Sequence, residues 1–145
     1  METNTNVEAL NSLLRGEISA VETYEQALQK LNDDAVVAPQ LTDCKSSHEE
    51  RVTLLRREVA RLGGTPSEGS GAWGAFAKLV EGGAKVFGKA SAIAALEEGE
   101  DHGLKQYRDD LAKLDTNTRS SLENQLLTKQ IQTHRTTSTL KKTIH

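Results

Sequence analysis

The sequence predicts an all-α protein: an antiparallel four-helix bundle made of two internally repeated helical hairpins. Its 145 residues include only 3% aromatics and two prolines, while strong helix formers such as Ala, Leu, Glu and Lys are plentiful. Apolar residues recur at helical spacing in four long segments. The pattern of residues 13–31 returns with identical spacing in residues 96–114. This length is enough for one domain with a substantial core, so we expect a single domain over residues 1–145.

The first hairpin is predicted from capping and stop signals. Thr5 and Glu8 form a capping box from which helix 1 runs to about Leu31. Helix 2 begins between residues 34 and 40, and the glycine pair at 63–64 ends it. The short turn between them makes the two helices antiparallel.

The connection between helices 2 and 3 is a long crossover of about residues 63–88. Helical hairpins are normally joined by two to eight residues. A segment this long can cross the bundle and start helix 3 in the direction of helix 2. Trp73 and Phe76 anchor a short amphipathic stretch within it. That stretch either covers one side of the bundle or forms a homo-oligomer interface.

The second hairpin resembles the first. Helix 3 begins between residues 84 and 91 and reaches Leu114, and a capping box at Ser120 and Glu123 marks helix 4. Helix 4 extends to the last residues of the chain. Its predicted inward face contains Leu127, Ile131, His134 and Ser138.

Each repeat carries a glutamate in the middle of an apolar helical stripe. Glu17 and Glu100 follow a glycine, and each precedes a small residue and a tyrosine at the same spacing. A carboxylate in such a stripe is costly unless it is paired, protonated or bound to a metal ion. Tyr24 and Tyr107 are expected to fill the core and to hydrogen-bond a carboxylate across the bundle.

Two histidines occupy similar places on the second helix of each hairpin. Packing the hairpins about a pseudo-twofold axis brings His48 and His134 towards Glu17 and Glu100. Carboxylates and imidazoles bind first-row transition metals, so we expect one or two ions of iron or manganese, with zinc as a further option. Glu97 lies one turn before Glu100 and is the fifth candidate ligand.

The repeated Glu-x-x-small-x-x-x-Tyr pattern and the core histidines are similar to the ferritin-like superfamily. Three short motifs also resemble the sequence pattern of an uncharacterised bacterial ferritin-like domain family related to rubrerythrin and bacterioferritin: Gly16-Glu17, Arg61-Leu62-Gly63-Gly64 and Gly99-Glu100-Asp101. This resemblance implies a four-helix bundle with a carboxylate-bridged metal centre. Di-iron members carry a glutamate three residues before each histidine, where this chain has Lys45 and Ile131. A single ion, a weak or asymmetric pair, or no ion is therefore expected in place of a fast ferroxidase centre.

The leading functional hypothesis is a transition-metal-binding ferritin-like protein with a redox or oxidative-stress role. Whether it is an enzyme stays open, with weak ferroxidase or peroxidase-type activity as the form it would take. The alternative is a metal-free bundle that serves as a structural, interaction or stress-response module. In that case Lys45 and Arg51 would neutralise the core carboxylates.

The charge and cysteine content narrow the classes of partner. Eighteen basic residues are scattered among 21 acidic ones, for a net charge of −3, so neither nucleic acid nor membrane is expected as a partner. Cys44 is the single cysteine and is expected to pack in the core, which fits a reducing compartment. No signal-peptide pattern or membrane-length apolar run is visible, and we expect a cytoplasmic protein.

Overall fold

The computed structural model describes residues 2–71 and 88–144, which form an all-α four-helix bundle as predicted. No strand occurs in these two ranges. None of their helices is both long enough and apolar enough to cross a membrane. The helices are α1 (Glu2–Leu31), α2 (Val37–Arg61), α3 (Lys89–Leu111) and α4 (Thr116–Thr143).

Contacts at the two ends of the bundle define its topology. At one end, the Asn11 amide near the start of α1 donates to the Thr65 carbonyl just past α2. At the other end, Lys89 at the start of α3 lies 2.8 Å from Asp34, which follows α1. The chain therefore leaves α2 at one end and enters α3 at the other, so α2 and α3 run in the same direction, as the long crossover predicts. Residues 72–87, which include the predicted amphipathic stretch, lie outside the described part of the chain.

The predicted glycine stop ends α2. The Gly63 amide donates to the Ala60 carbonyl and the Gly64 amide to the Val59 carbonyl, both at 3.0 Å. This pair of bonds is a Schellman motif, and it requires a left-handed residue. Gly63 supplies that residue with a φ of 81°, which a glycine adopts without steric cost.

The two predicted capping boxes are wrong. Thr5 lies inside α1 and Ser120 lies inside α4, because both helices begin earlier. Asp115 caps α4 through its carboxylate, which accepts from the Thr118 amide at 2.8 Å. The Asn6 side chain donates to the same carboxylate at 2.6 Å and joins α1 to this turn.

The core consists of two apolar layers separated by one polar layer. A fully buried aliphatic side chain contributes about 1.5–3 kcal/mol, so the apolar layers offset the cost of burying the polar one. The layer at the α3–α4 turn contains Leu10, Leu14, Leu55, Val59, Leu111, Leu122 and Leu126. The layer at the α1–α2 turn contains Ala27, Val37, Leu41, Ile93, Leu96 and Leu140. The polar layer between them contains Glu17, His48, Arg51, Glu100, Gln130 and Thr133.

Candidate metal site and buried polar layer

The two repeated glutamates face each other inside the bundle. Glu17 on α1 and Glu100 on α3 are each only 3% exposed. The Tyr24 hydroxyl donates to Glu100 Oε2 at 2.5 Å, and the Tyr107 hydroxyl donates to Glu17 Oε2. The predicted bond from each tyrosine to a carboxylate across the bundle is confirmed. Each repeat therefore supplies the donor for the other repeat's acid.

His48 on α2 lies between the two carboxylates. Its Nδ1 is hydrogen-bonded to Glu17 Oε1, and its Nε2 lies 2.7 Å from Glu100 Oε2. The imidazole also stacks on the Tyr24 ring, with centroids 5.3 Å apart. Ionised carboxylates only accept hydrogen bonds, so both ring nitrogens have to carry a hydrogen. This arrangement is that of an imidazolium cation.

Arg51 follows His48 by one turn of α2 and is 1% exposed. Its Nη1 lies 3.1 Å from Glu17 Oε2 and donates to the Gln130 amide oxygen. Its Nη2 donates to the Thr133 hydroxyl at 3.1 Å. The guanidinium thus bonds α1 and α4 to α2.

The helix α4 contributes an amide and a hydroxyl to the polar layer. Gln130 Nε2 and Thr133 Oγ1 donate to Glu100 Oε1 at 2.9 and 2.7 Å. Gly103 makes room for this contact, because a Cβ there would lie 2.7 Å from Gln130 Nε2.

The prediction missed both of these α4 residues, although one signal in the sequence points to them. The leucines at both ends of α4 lie on one helical face that also contains polar residues. All members of this face are buried: Leu122, Leu126, Gln130, Thr133, Thr137 and Leu140.

His134 lies on the outer side of α4 and not in the core where it was predicted. Successive helical residues are rotated by about 100°. Because Thr133 faces inward, His134 is turned out of the polar layer. Its side chain is 25% exposed, and its Nε2 lies 2.5 Å from Asp101 Oδ1 and 3.8 Å from Glu97 Oε1.

The five predicted ligands are therefore divided between two places. Glu17, His48 and Glu100 meet in the polar layer. Glu97 and His134 meet on the outer side of the α3–α4 hairpin. The expected symmetry relates the glutamates and tyrosines, but it does not extend to the histidines.

The charges of the polar layer balance. Burial raises the pKa of Glu17, but the positive charges of Arg51 and His48 together lower it by more. The pKa of Glu17 therefore lies below its ordinary value. Burial likewise raises the pKa of Glu100, while His48 and Arg51 bring it below its ordinary value. Burial lowers the pKa of His48, yet Glu100 and Glu17 raise it above its ordinary value. Two carboxylates thus face one guanidinium and one imidazolium.

Lys45 does not take part in this balance, although it was expected to help neutralise the acids. Its Nζ lies 3.5 Å from Glu25 on the outside of the bundle. Arg51, the other expected cation, does enter the polar layer.

These polar-layer residues do not fit the di-metal centre that the ferritin-like resemblance implies. Both nitrogens of His48 are already bonded to carboxylates, and the Arg51 guanidinium close to Glu17 would repel a divalent cation there. The two further carboxylates of the di-iron pattern are also missing, since Lys45 pairs outside the layer and Ile131 is 37% exposed.

The outer cluster of Glu97, Asp101 and His134 has the spacing of a small cation site. One ligand atom from each side chain lies within 4.8 Å of the other two. First-row ions bind such nitrogen and oxygen atoms at about 2.0–2.2 Å, so small side-chain movements would bring the three ligand atoms to one ion. Asp101 was not predicted as a ligand, although its position one turn after Glu97 places both on one helical face. Lys141 lies at the edge of this cluster, 3.4 Å from Glu97.

Cys44 packs in the core as expected, and His102 lies outside it. Cys44 is buried, and burial together with the charge of Glu100 raises the pKa of its thiol to about 12. Such a thiol is a packing group and not a nucleophile. His102 is a surface residue with a side chain that is 56% exposed.

A comparison with known protein families finds a match that covers the first three helices. The sequence pattern of the family described as "Domain of unknown function (DUF2383)" matches residues 5–113. The chain belongs to this family. The match covers both repeated glutamates, both tyrosines, His48 and Arg51. No curated protein and no solved structure matches the chain. The four-helix arrangement is compatible with the ferritin-like resemblance, which stays a prediction.

Proposed function

We propose that this protein binds a first-row divalent transition-metal ion on the outer side of the α3–α4 hairpin, through Glu97, Asp101 and His134. The observation that carries this proposal is the convergence of three ligand atoms, from two helices, within 4.8 Å of one another. Glu97 and His134 belong to the ligand set predicted from the sequence, and Asp101 joins them here.

The chemistry of the three donors supports this class of ion. Two carboxylates and one imidazole suit manganese and iron, and they also suit zinc. Two carboxylates neutralise the charge of a divalent cation, and the exposed side chain of Lys141 can turn from Glu97 into solvent when the ion binds. The polar layer is already neutral without an added cation. More than half of the Asp101 side chain is exposed, so an ion bound there can also coordinate water molecules. A redox or oxidative-stress role depends on which ion binds and stays a prediction.

Calorimetric titration of the metal-free protein with Mn²⁺, Zn²⁺ and, under anaerobic conditions, Fe²⁺ tests the proposal. We expect one binding event per chain for at least one ion. His134→Ala and Asp101→Asn each remove one ligand. Mutation of a residue that only orients a metal ligand already weakens metal affinity about tenfold or more, so we expect each of these variants to lose at least that much.

Two variants serve as controls for this titration. His102→Ala removes an exposed histidine of α3 outside the cluster, and Glu17→Gln removes a carboxylate of the polar layer. Both should bind the ion like the unmodified protein. Equal affinity in His134→Ala, or an equal loss in His102→Ala, would contradict the proposed site.

A second candidate function is the metal-free structural or interaction module. The observation that favours it is the polar layer, in which Arg51 and His48 supply the two positive charges that the carboxylates need. A ligand that binds only the folded state raises the melting temperature. A melting temperature unchanged by chelator and by each added metal would favour this second function.

A further inference from the structure

A cavity of about 40 Å³ lies between α1 and α3 beside the buried carboxylates. A buried water needs about 10–15 Å³ of such space, so the cavity can hold a guest the size of about three waters. Leucines form part of its walls, and the tyrosines and carboxylates of the polar layer form its floor. Its rim consists of small residues that are half-buried: Gly16, Ala20, Gly99 and Gly103.

This cavity is a property of the repeat. Gly16 and Gly99 occupy one position of the repeated pattern, and Ala20 and Gly103 occupy another. Packed protein interiors have few voids larger than a water molecule. Here both halves of the chain have only glycine or alanine at the same two positions, and the space opens where the two helices meet.

The polar atoms on the floor are already bonded within the protein. Glu17 Oε1 is bonded to His48 and Glu17 Oε2 to Tyr107. Glu100 Oε1 accepts from Thr133, and Glu100 Oε2 accepts from Tyr24. All four carboxylate oxygens therefore have partners without any molecule in the cavity.

The chemistry of the guest follows from this floor. The charges of the polar layer balance, and its Glu17, Glu100 and His48 line the cavity. An anion there would meet two carboxylates, and a cation would meet the imidazolium of His48.

Thr23 and Gln106 also line the cavity, and their side chains donate to the carbonyls of Ser19 and Ser12. A water molecule therefore gains little, because it needs two or more polar partners that are still free. Apolar cavities stay dry and accept small apolar guests.

We propose that the cavity between α1 and α3 binds an uncharged apolar molecule the size of a diatomic gas. This proposal is independent of the outer metal site, which lies on α3 and α4. The guest contacts the rim through dispersion forces and reaches the floor next to Tyr24 and Tyr107.

Xenon is the probe for this proposal. Crystals of the whole chain under xenon pressure should show one xenon atom between α1 and α3, and ¹²⁹Xe resonances in solution should shift with protein concentration. Ala20→Leu fills the rim and should abolish both signals. Ala60→Leu makes the same change at an exposed position of α2 and should leave both signals unchanged.

Either of two results would overturn the proposal. One is ordered water in the cavity of the unmodified protein with no bound xenon under pressure. The other is full xenon occupancy in a folded Ala20→Leu variant. If that variant does not fold, Ala20→Val makes a smaller change at the same position, and the experiment on the unmodified protein decides the question by itself.

Discussion

The Arg51 guanidinium lies 3.1 Å from the Glu17 carboxylate, and both side chains are almost completely buried. Burying a charge without a partner is far more costly than burying a paired one. The second acid, Glu100, has His48 as its nearest cation. The bundle therefore contains two neighbouring ion pairs joined through His48, and each of the four charges depends on the others.

Replacing Arg51 by Met should destabilise the fold strongly. Glu17 would lose its guanidinium partner while staying buried, and breaking a buried pair from one side costs about 3–5 kcal/mol. The free energy of unfolding, measured in urea by circular dichroism, gives this difference. Arg61→Met is the matched control, because Arg61 pairs with Glu58 on the surface and an exposed pair contributes about 1 kcal/mol or less. Equal losses in the two variants would show that Arg51 does not compensate a buried charge.

The stability of the protein should fall as the pH rises above neutrality. The pKa of His48 is raised in the folded state from its ordinary value of 6.5, with burial opposing the shift and Glu100 and Glu17 causing it. Protonated His48 therefore stabilises the folded state. This stability is fully present below about pH 6.5, the ordinary pKa of histidine, and it is lost as the pH rises through the folded-state pKa of His48. Unfolding free energies measured from about pH 6 to about pH 9 should show this decline. The ¹⁵N resonances of the imidazole should show hydrogens on both nitrogens at neutral pH.

Two variants separate this effect from the titration of other groups. His48→Gln should remove the decline, whereas His102→Gln should keep it, because the exposed His102 lies 3.9 Å from Glu98 on the surface of α3. A neutral His48 imidazole at neutral pH would contradict the charge balance proposed for the core.

Removing either tyrosine hydroxyl should lower the free energy of unfolding by a similar amount, and the two losses should be coupled. Tyr24→Phe takes a donor from Glu100, and Tyr107→Phe takes one from Glu17. A hydrogen bond to a charged group contributes about 1.5–3 kcal/mol, so each variant should lose about 2 kcal/mol. Since both acids share His48, the double variant should depart from the sum of the two losses by more than about 0.5 kcal/mol. Strictly additive losses, measured in urea, would mean that the two halves of the polar layer are independent.

Adding a methyl group at Gly103 should disturb the bond between Gln130 and Glu100. The new Cβ would lie 2.7 Å from Gln130 Nε2, and this buried side chain would have to give up its bonds to Glu100 to move. Such overpacking typically costs about 1–3 kcal/mol, against the roughly 0.5–1 kcal/mol that alanine gains over glycine inside a helix. Thermal unfolding of Gly103→Ala measures this cost. Gly69→Ala is the control, because a Cβ at Gly69 meets nothing within 4 Å. A gain in stability of about 0.5–1 kcal/mol in Gly103→Ala, the advantage of alanine over glycine in a helix, would indicate that Gln130 moves without loss.

The sequence alone predicts much of the fold and most of the polar layer. The identical spacing around Glu17 and Glu100 is enough to place both acids on inward faces, because helical periodicity relates spacing to direction. The same periodicity predicts that each tyrosine bonds an acid across the bundle. The crossover length predicts that α2 and α3 run in the same direction, since a short loop could not join opposite ends of the bundle.

The sequence by itself therefore determined the four helices, their order and the inward position of the repeated acids. Only the tertiary structure decided which face of α4 packs inward. The leucines of α4 are compatible with two neighbouring faces, one with His134 and one with Gln130 and Thr133, and periodicity within one helix does not choose between them. Packing against the other three helices selected the second face, because its hydrogen-bonding side chains complete the bonds of Glu100 and Arg51. The same rotation moved His134 outward to Asp101, and so the proposed metal site lies on the surface of the bundle and not at its centre.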